Sequence, residues 1–144
     1  PQTWPEDLHW QAVWTGTSAG TDTALGHFAR WQAEADTTPL HALVEASNLL
    51  CEAPSMDNLA SYTQSLGQLD KAADLNIFTP AHQRLATIAH AQQLIYKPCG
   101  AGGGDIGIAV GEDRNAVEQF CSQAAAQNYV PLNLEIAPHG VETA

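Results

Sequence analysis

The chain has 144 residues, of which 44% are apolar, and it carries 16 acidic residues against five basic ones, a formal net charge of −11. This length predicts one domain with a real core, and the apolar fraction excludes a disordered chain. Because no basic patch is available to neutralise phosphates, nucleic acid is not expected as a partner.

The rest of the composition indicates a cytoplasmic protein. No run approaches the roughly 18 apolar residues that a membrane span needs, and no leader pattern opens the chain, so no membrane partner is expected. The cysteines are odd in number and lack metal-ligand spacing, which indicates free thiols in a reducing compartment.

The first predicted strand is His9 to Trp14, where the residues of two faces alternate. The run from Thr15 to Thr21 is rich in hydroxyls and glycine. It predicts a loop that ends in a helix cap at Thr21 or Asp22.

Four helices are predicted next from apolar residues at helical spacing, with prolines and hydroxyl-bearing caps between them. They cover Asp22 to Ala35, Pro39 to about Glu52, Met56 to Ala73, and Pro80 to about Gln92.

Two short apolar runs, Leu94 to Tyr96 and Ile106 to Val110, predict strands on either side of a glycine-rich loop. Asp113 is expected to cap a fifth helix that ends near Asn128, and alternation from Leu132 to Ile136 predicts a last strand.

The predicted order is therefore strand, four helices, two strands, helix, strand. Once the extra helices are set aside, this is the order of a ferredoxin-like split β-α-β unit. The expected fold class is α+β, with a four-stranded antiparallel sheet covered by helices on one face and a multi-helix insertion. Residues 1–144 are expected to form one domain.

The glycine-rich loop, Lys97 to Asp105, is the strongest functional signal in the chain. Four of the five residues from Gly100 to Gly104 are glycine, and each glycine in an ordered loop costs about 0.5–1 kcal/mol relative to alanine. Successive backbone N–H groups in such a loop form a concavity that suits an anion. A phosphate-type ligand is favoured, and a wide hairpin loop that uses glycine only for turning is the alternative.

The loop differs from two better-known phosphate loops. It lacks the Gly-Lys-Ser/Thr ending of a P-loop, and the residues after it form a predicted strand rather than a helix. A dinucleotide fingerprint through Gly102, Gly104 and Gly107 fails for the same reason.

Other chemistry is less strongly indicated. The six histidines show no metal-ligand spacing, so no metal site is predicted, and surface or half-buried positions are expected for them. A Cys99 nucleophile is disfavoured because no fixed base can be identified from the sequence.

The run from Lys97 to Val110 resembles the third signature motif of the GHMP small-molecule kinases. Cys99 and Ile106 stand where that family's version has serine and cysteine. Trp14-Thr15-Gly16 with its hydroxyl-rich turn resembles the family's strand-to-helix segment. Val130-Pro131-Leu132 with Gly140 resembles its final strand, so the similarity covers nearly the whole chain.

The resemblance implies ATP-dependent transfer of a phosphoryl group to a small phosphorylated substrate. It further implies that the chain is the family's C-terminal domain, without the N-terminal lobe that mainly binds ATP and Mg²⁺, and is inactive alone. The implied substrate- and phosphate-binding residues are Lys97, Cys99, Gly100, Ala101, Gly102, Gly103, Gly104 and Asp105, with Thr15 and Ser18 beside them.

Roles within this set follow from phosphoryl-transfer chemistry, which rests on positioning and charge stabilisation. Backbone N–H groups from Gly100 to Gly104 would stabilise the transferring group, Lys97 would meet the acceptor phosphate, and Asp105 would pin the loop by accepting backbone hydrogen bonds. The expected partners are the substrate, the N-terminal lobe and, at high concentration, a weak homodimer.

Two alternatives stay open. One is another member of the same superfamily, including its decarboxylase member. The other is a ferredoxin-like module that binds an anion without catalysis.

Overall fold

A computed structural model describes residues 5, 7–18, 20–100 and 102–135. The helices are α1 (Thr21–Glu34), α2 (Thr38–Glu52), α3 (Met56–Ala73), α4 (Pro80–Ala91) and α5 (Arg114–Ala126). The strands are β1 (His9–Trp14), β2 (Ile95–Pro98), β3 (Ile106–Gly111) and β4 (Val130–Leu132). The predicted elements are confirmed in type and order, with bounds that differ by a few residues.

Two predicted details are wrong. The last strand ends at Leu132 rather than continuing through Leu134, and the predicted strand residue Ile136 and the motif residue Gly140 lie outside the described residues. The helix α1 begins after Gly20 and has no side-chain cap, in contrast to the cap expected at Thr21 or Asp22.

Three of the other caps form as their residue types predict. Ser55 accepts a hydrogen bond from the Asn58 N–H at the start of α3, and Asp113 accepts one from the Asn115 N–H at the start of α5. Thr79 accepts one from the His82 N–H at the start of α4, where Pro80 supplies the first-turn proline.

The four strands form one antiparallel sheet in the order β2-β3-β1-β4. In this register Val13 lies opposite Gly107, and Ala109 lies between Gln11 and Tyr96. The connections from β1 to β2 and from β3 to β4 both contain helices, and each passes over a strand that lies between the two it joins.

One face of the sheet carries the main core. Val13, Tyr96 and Ala109 on this face are buried against residues of α4 and α5, including Leu85 and Phe120, both of which are fully buried. Burial at this level stabilises by roughly 1.5–3 kcal/mol per large side chain relative to exposure. This cluster holds the strands that present the glycine loop.

The opposite face of the sheet, with Trp10, Ile108 and Val110, looks toward α2 and α3 across a cavity. Leu50 of α2 and Leu59 of α3 line the far side of that cavity. The expectation that helices lie on one face only is therefore wrong: α4 and α5 pack on one side, and α2 and α3 lie over the other.

Two glycines of β3 leave space for large side chains of the neighbouring segment, one from β2 and one from the residue just before it. A Cβ atom on Gly107 would overlap the Tyr96 hydroxyl, and one on Gly111 would overlap the Leu94 side chain. Each glycine makes room for a neighbour's side chain, which would have to shift if the glycine carried a Cβ atom. Within the described residues no helix is long and apolar enough to cross a membrane.

Candidate functional site

The Thr15 segment and the glycine loop meet at one end of the two central strands, β1 and β3. Trp14 at the end of β1 pairs with Ile106 at the start of β3, so the segments beyond them run side by side. The Thr15 N–H donates to the Asp105 carbonyl at 2.8 Å, and the Asp105 N–H donates to the Thr17 carbonyl at 2.6 Å. The glycine loop and the Thr15 segment thus form one unit.

Every described residue of the glycine loop from Gly100 to Asp105 has a positive φ. The φ angles are 63° at Gly100, 69° at Gly102, 74° at Gly103, 146° at Gly104 and 55° at Asp105. Side chains other than those of Asn and Asp are strongly disfavoured there, which explains both the glycine run and its acidic ending. Ala101, also predicted as a binding residue, lies outside the described residues.

Several backbone N–H groups of the loop already have protein partners. The Gly102 N–H donates to the Cys99 carbonyl at 3.3 Å, and the Gly103 N–H donates to the Ile77 carbonyl at 3.1 Å. No partner for the Gly100 or Gly104 N–H is found among the described residues. Gly100 is exposed and Gly104 is buried, so of these two N–H groups the one that belongs to the exposed residue is that of Gly100.

The loop is docked on the connection between α3 and α4. Gly102 lies so close to Ile77 that an added Cβ atom would overlap the Ile77 side chain and lie 2.7 Å from its Cα. The nearly buried Asp70 carboxylate fixes this connection by accepting from the Ile77 N–H at 2.8 Å and the Phe78 N–H at 2.9 Å. Asp70 therefore supports the loop through Ile77, a role that no sequence pattern indicated.

A buried histidine holds the next residue of the loop, Gly104. His82 is fully buried, its Nε2 lies 2.8 Å from the Gly104 carbonyl oxygen, and its Nδ1 lies 2.8 Å from the Tyr96 hydroxyl. A carbonyl oxygen can only accept, so Nε2 carries the proton and Nδ1 accepts from Tyr96. The expectation that the histidines are exposed or half-buried is wrong for His82.

Burial keeps both members of this pair uncharged. Loss of solvent lowers the pKa of His82 below its usual 6.5, while the bond to Gly104 and the charge of Asp105 oppose that shift. Loss of solvent also raises the pKa of Tyr96, with smaller contributions from Cys99 and Tyr129. At neutral pH the Tyr96–His82–Gly104 chain is therefore a set of neutral hydrogen bonds.

The predicted polar side chains of the loop are less engaged than its backbone. Asp105 and Ser18 are exposed, Cys99 is half-buried, and no side-chain hydrogen bond of these three is found in the described part of the chain. Asp105 thus pins the loop with its backbone, where its carboxylate had been expected to do so. Thr15 is buried, and its hydroxyl donates to the Thr17 carbonyl at 3.2 Å.

Lys97 points to the opposite face of the sheet from Tyr96. Its ammonium lies 5.9 Å from the centre of the Tyr62 ring, a cation–π distance, in the cavity between the sheet and α2 and α3. None of the described loop residues beyond Lys97 lines this cavity. Its predicted contact with an acceptor phosphate therefore stays a prediction.

The described residues hold no group of three or more histidine, cysteine or acidic side chains that could bind a metal ion. Within the loop itself, Asp105 is the one acidic residue. The donor set that Mg²⁺ prefers, one or two carboxylates with phosphates and water, is only partly present here.

Comparison with known proteins identifies one curated relative. The chain is 31% identical over 149 aligned positions to a phosphomevalonate kinase from Streptomyces sp. strain CL190, an alignment that covers 95% of this chain and 40% of that protein. No family model matches the chain. The chain spans well under half the length of the Streptomyces kinase, and it matches the C-terminal part of that protein.

Solved structures share the fold. A Lin0012 protein from Listeria innocua superposes with a TM-score of 0.77 at 21% identity, over 87% of this chain and 38% of that one. The phosphomevalonate kinase of Streptococcus pneumoniae, in a complex with phosphomevalonate and AMPPNP, gives a TM-score of 0.71 at 21% identity, over 88% of this chain and 38% of that one.

Both comparisons agree with the motif that runs from Lys97 to Val110. By sequence the chain is similar to the C-terminal part of a curated phosphomevalonate kinase, and by fold it is similar to solved structures of that enzyme, which together support a C-terminal domain of the phosphomevalonate kinase type.

Proposed function

We propose that this chain is the substrate-side domain of an ATP-dependent phosphomevalonate kinase, which converts phosphomevalonate to diphosphomevalonate in isoprenoid synthesis. The observation that carries the proposal is the glycine loop, which combines the family motif with a backbone fixed at Gly103 by Ile77 and at Gly104 by His82. The 31% identity to a curated kinase supports the same assignment.

In the proposed reaction an oxygen of the acceptor phosphate bonds to the terminal phosphorus of ATP. The bond from that phosphorus to the bridging oxygen breaks, and ADP leaves. Such a transfer needs donors held in place before charge moves onto the equatorial oxygens. We assign this role to the N–H of the exposed Gly100, with Cys99, Ala101 and Gly102 to Asp105 shaping the loop around the phosphate, and Thr15 and Ser18 bordering it.

The ATP and Mg²⁺ of this reaction are assigned to an N-terminal lobe, because the described residues of this chain offer no full ligand set for the metal. The Streptococcus structure was solved with phosphomevalonate and AMPPNP, which supports a small phosphorylated substrate and a nucleotide for the family. The strand order β2-β3-β1-β4 with its helical crossovers supports the ferredoxin-like split as the fold of this domain. A cytoplasmic location fits this role.

A chimaera tests the proposal. The C-terminal part of the Streptomyces kinase would be replaced by this chain, and turnover would be measured with ATP, Mg²⁺ and phosphomevalonate, beside the chain alone. We expect turnover by the chimaera and none by the chain alone. A chimaera that folds but phosphorylates mevalonate, or decarboxylates diphosphomevalonate, would assign the chain to mevalonate kinase or to diphosphomevalonate decarboxylase.

The second candidate is a ferredoxin-like anion-binding module without catalysis. The half-buried Cys99 favours it, because a thiol replaces the stronger hydroxyl donor of the family motif. A Cys99→Ser chimaera distinguishes the two: turnover that appears only with serine would show that this chain binds but does not support transfer.

A further inference from the structure

The cavity between the sheet and α2 and α3, here named the Lys97 cavity, shares only Lys97 with the described residues of the glycine-rich loop. Its volume is about 620 Å³, and Trp10 and Val110 of the sheet face Leu50 and Leu59 of the helices across it. Protein interiors are packed with few voids larger than a water molecule. A concave apolar space of several hundred Å³ is the usual form of a small-molecule site.

The cavity carries a positive charge, whereas the chain as a whole is strongly negative. The chain carries a net charge of −11, yet none of the described residues that line the cavity is acidic, and Lys97 supplies one positive charge. Within the described ranges the Lys97 ammonium contacts the Tyr62 ring and no carboxylate. An ammonium without a counter-ion beside apolar walls is complementary to a ligand with one anionic group.

Tyr62 adds a neutral donor beside Lys97. Burial is the largest cause that raises the pKa of Tyr62, so its hydroxyl keeps its proton at neutral pH. A protonated phenol can donate to an anion, whereas a phenolate would repel one. Ser47, the other hydroxyl on the cavity wall, can donate in the same way.

We propose that the Lys97 cavity binds an amphiphile that has one anionic head group, held by Lys97 and Tyr62, and an apolar carbon chain, held between the sheet and α2 and α3. Of the described residues of the glycine-rich loop this site uses Lys97 alone, and it does not depend on the proposed kinase function. The apolar residues of the sheet and of the two helices would contact the carbon chain of the ligand, and the Lys97 ammonium would favour an anionic head group over a neutral one.

The test uses the 144-residue chain and the fluorescence of Trp10, which lines the cavity. Decanoate and decyl phosphate are titrated as probes, with decanol as the neutral match for the chain and inorganic phosphate as the match for the head group. We expect both decyl anions to bind, decanol to bind more weakly, and inorganic phosphate to leave the Trp10 signal unchanged. Trp10→Phe should remove the signal, while calorimetry should still detect binding.

Two variants locate the ligand. Lys97→Met keeps the length of the side chain and should weaken decanoate binding about tenfold to a hundredfold, the value of a hydrogen bond to a charged group. Lys71 is exposed and does not line the cavity, so Lys71→Met should leave the affinity for decanoate unchanged. Ser47→Phe should fill the cavity and abolish binding of every decyl compound, with the fold checked by circular dichroism.

Three results would overturn the proposal. These are decyl anions that do not bind at millimolar concentration, decanol that binds as tightly as decanoate, and an equal loss of affinity in the Lys71→Met and Lys97→Met variants.

Discussion

The Nε2–H of His82 donates to the carbonyl of Gly104 at 2.8 Å, across 22 positions of sequence. The same ring accepts from Tyr96 at 2.8 Å, so the core of the domain extends directly into the backbone of the glycine loop. A loop of positive-φ residues has many conformations in solution, and this bond selects one of them. The position of the loop therefore depends on a side chain that never needs to touch a ligand.

The first prediction concerns the donor at position 82. His82→Leu leaves the Gly104 carbonyl and the Tyr96 hydroxyl without partners in a buried site, and we expect unfolding free energy to fall by about 2–5 kcal/mol. His82→Gln keeps an N–H donor near Nε2 and should recover part of that loss. The exposed His90 of the same helix offers the control His90→Gln, which should change little. Urea unfolding measures all three, and equal losses for Leu and Gln would contradict the role of the donor.

The second prediction is the pH dependence that His82 adds. Burial lowers its pKa below 6.5, so the unfolded chain binds a proton at a pH where the folded chain does not. The stability from neutral His82 is therefore complete above about pH 6.5 and falls as the pH drops below that value, by at most about 1.4 kcal/mol per pH unit. Urea unfolding at pH 7.5, 6.5 and 5.5 should show a smaller decrease for His82→Gln than for the wild type. Identical decreases would show that other groups cause the effect.

The sequence predicted the element order because apolar spacing, prolines and caps are local signals. The family motif also put Thr15 and the glycine loop in one expected binding site; the structure shows the two segments hydrogen-bonded to each other, and the binding role stays a prediction. The roles of His82 and Asp70 could not be predicted in this way. Their partners lie 22 residues away at Gly104 and seven or eight residues away at Ile77 and Phe78, across a chain reversal that no local pattern encodes.

Gly102 and Gly100 provide a matched pair for the third prediction. Both have positive φ, at 69° and 63°, so alanine at either position should cost about 1–2 kcal/mol of backbone strain. Only at Gly102 would the new Cβ overlap Ile77, since the space around Gly100 is open. Gly102→Ala should therefore lower the unfolding free energy by a further 1–3 kcal/mol or so. Equal stability of the two variants would mean that the loop is not docked on Ile77.

The fourth prediction is weak self-association. Leu25, Val44 and Leu49 are 61%, 49% and 52% exposed, and exposed apolar side chains tend to find a partner. The net charge of −11 opposes this contact and is screened by salt, so the dimer fraction should rise with both protein and salt concentration. Sedimentation would measure it, and a strict monomer at millimolar protein would contradict it.

The last prediction concerns Asp70, which supports the glycine loop through Ile77. Its two carboxylate oxygens each accept one N–H, from Ile77 and Phe78, and the Ile77 carbonyl in turn accepts from Gly103. Asp70→Asn removes the charge and turns an amide donor toward one of those N–H groups, which should cost about 1.5–3 kcal/mol.

Because the three residues form one chain of contacts, hydrogen exchange should accelerate at the Gly103 amide as well as at Ile77 and Phe78. Asp74→Asn is the control, since this exposed residue ends the same helix in a left-handed conformation that asparagine also accepts. If Gly103 keeps its protection in Asp70→Asn while Ile77 and Phe78 lose theirs, the loop is held without Asp70, by its bonds to His82 and to the Thr15 segment, and Asp70 serves only the turn between α3 and α4.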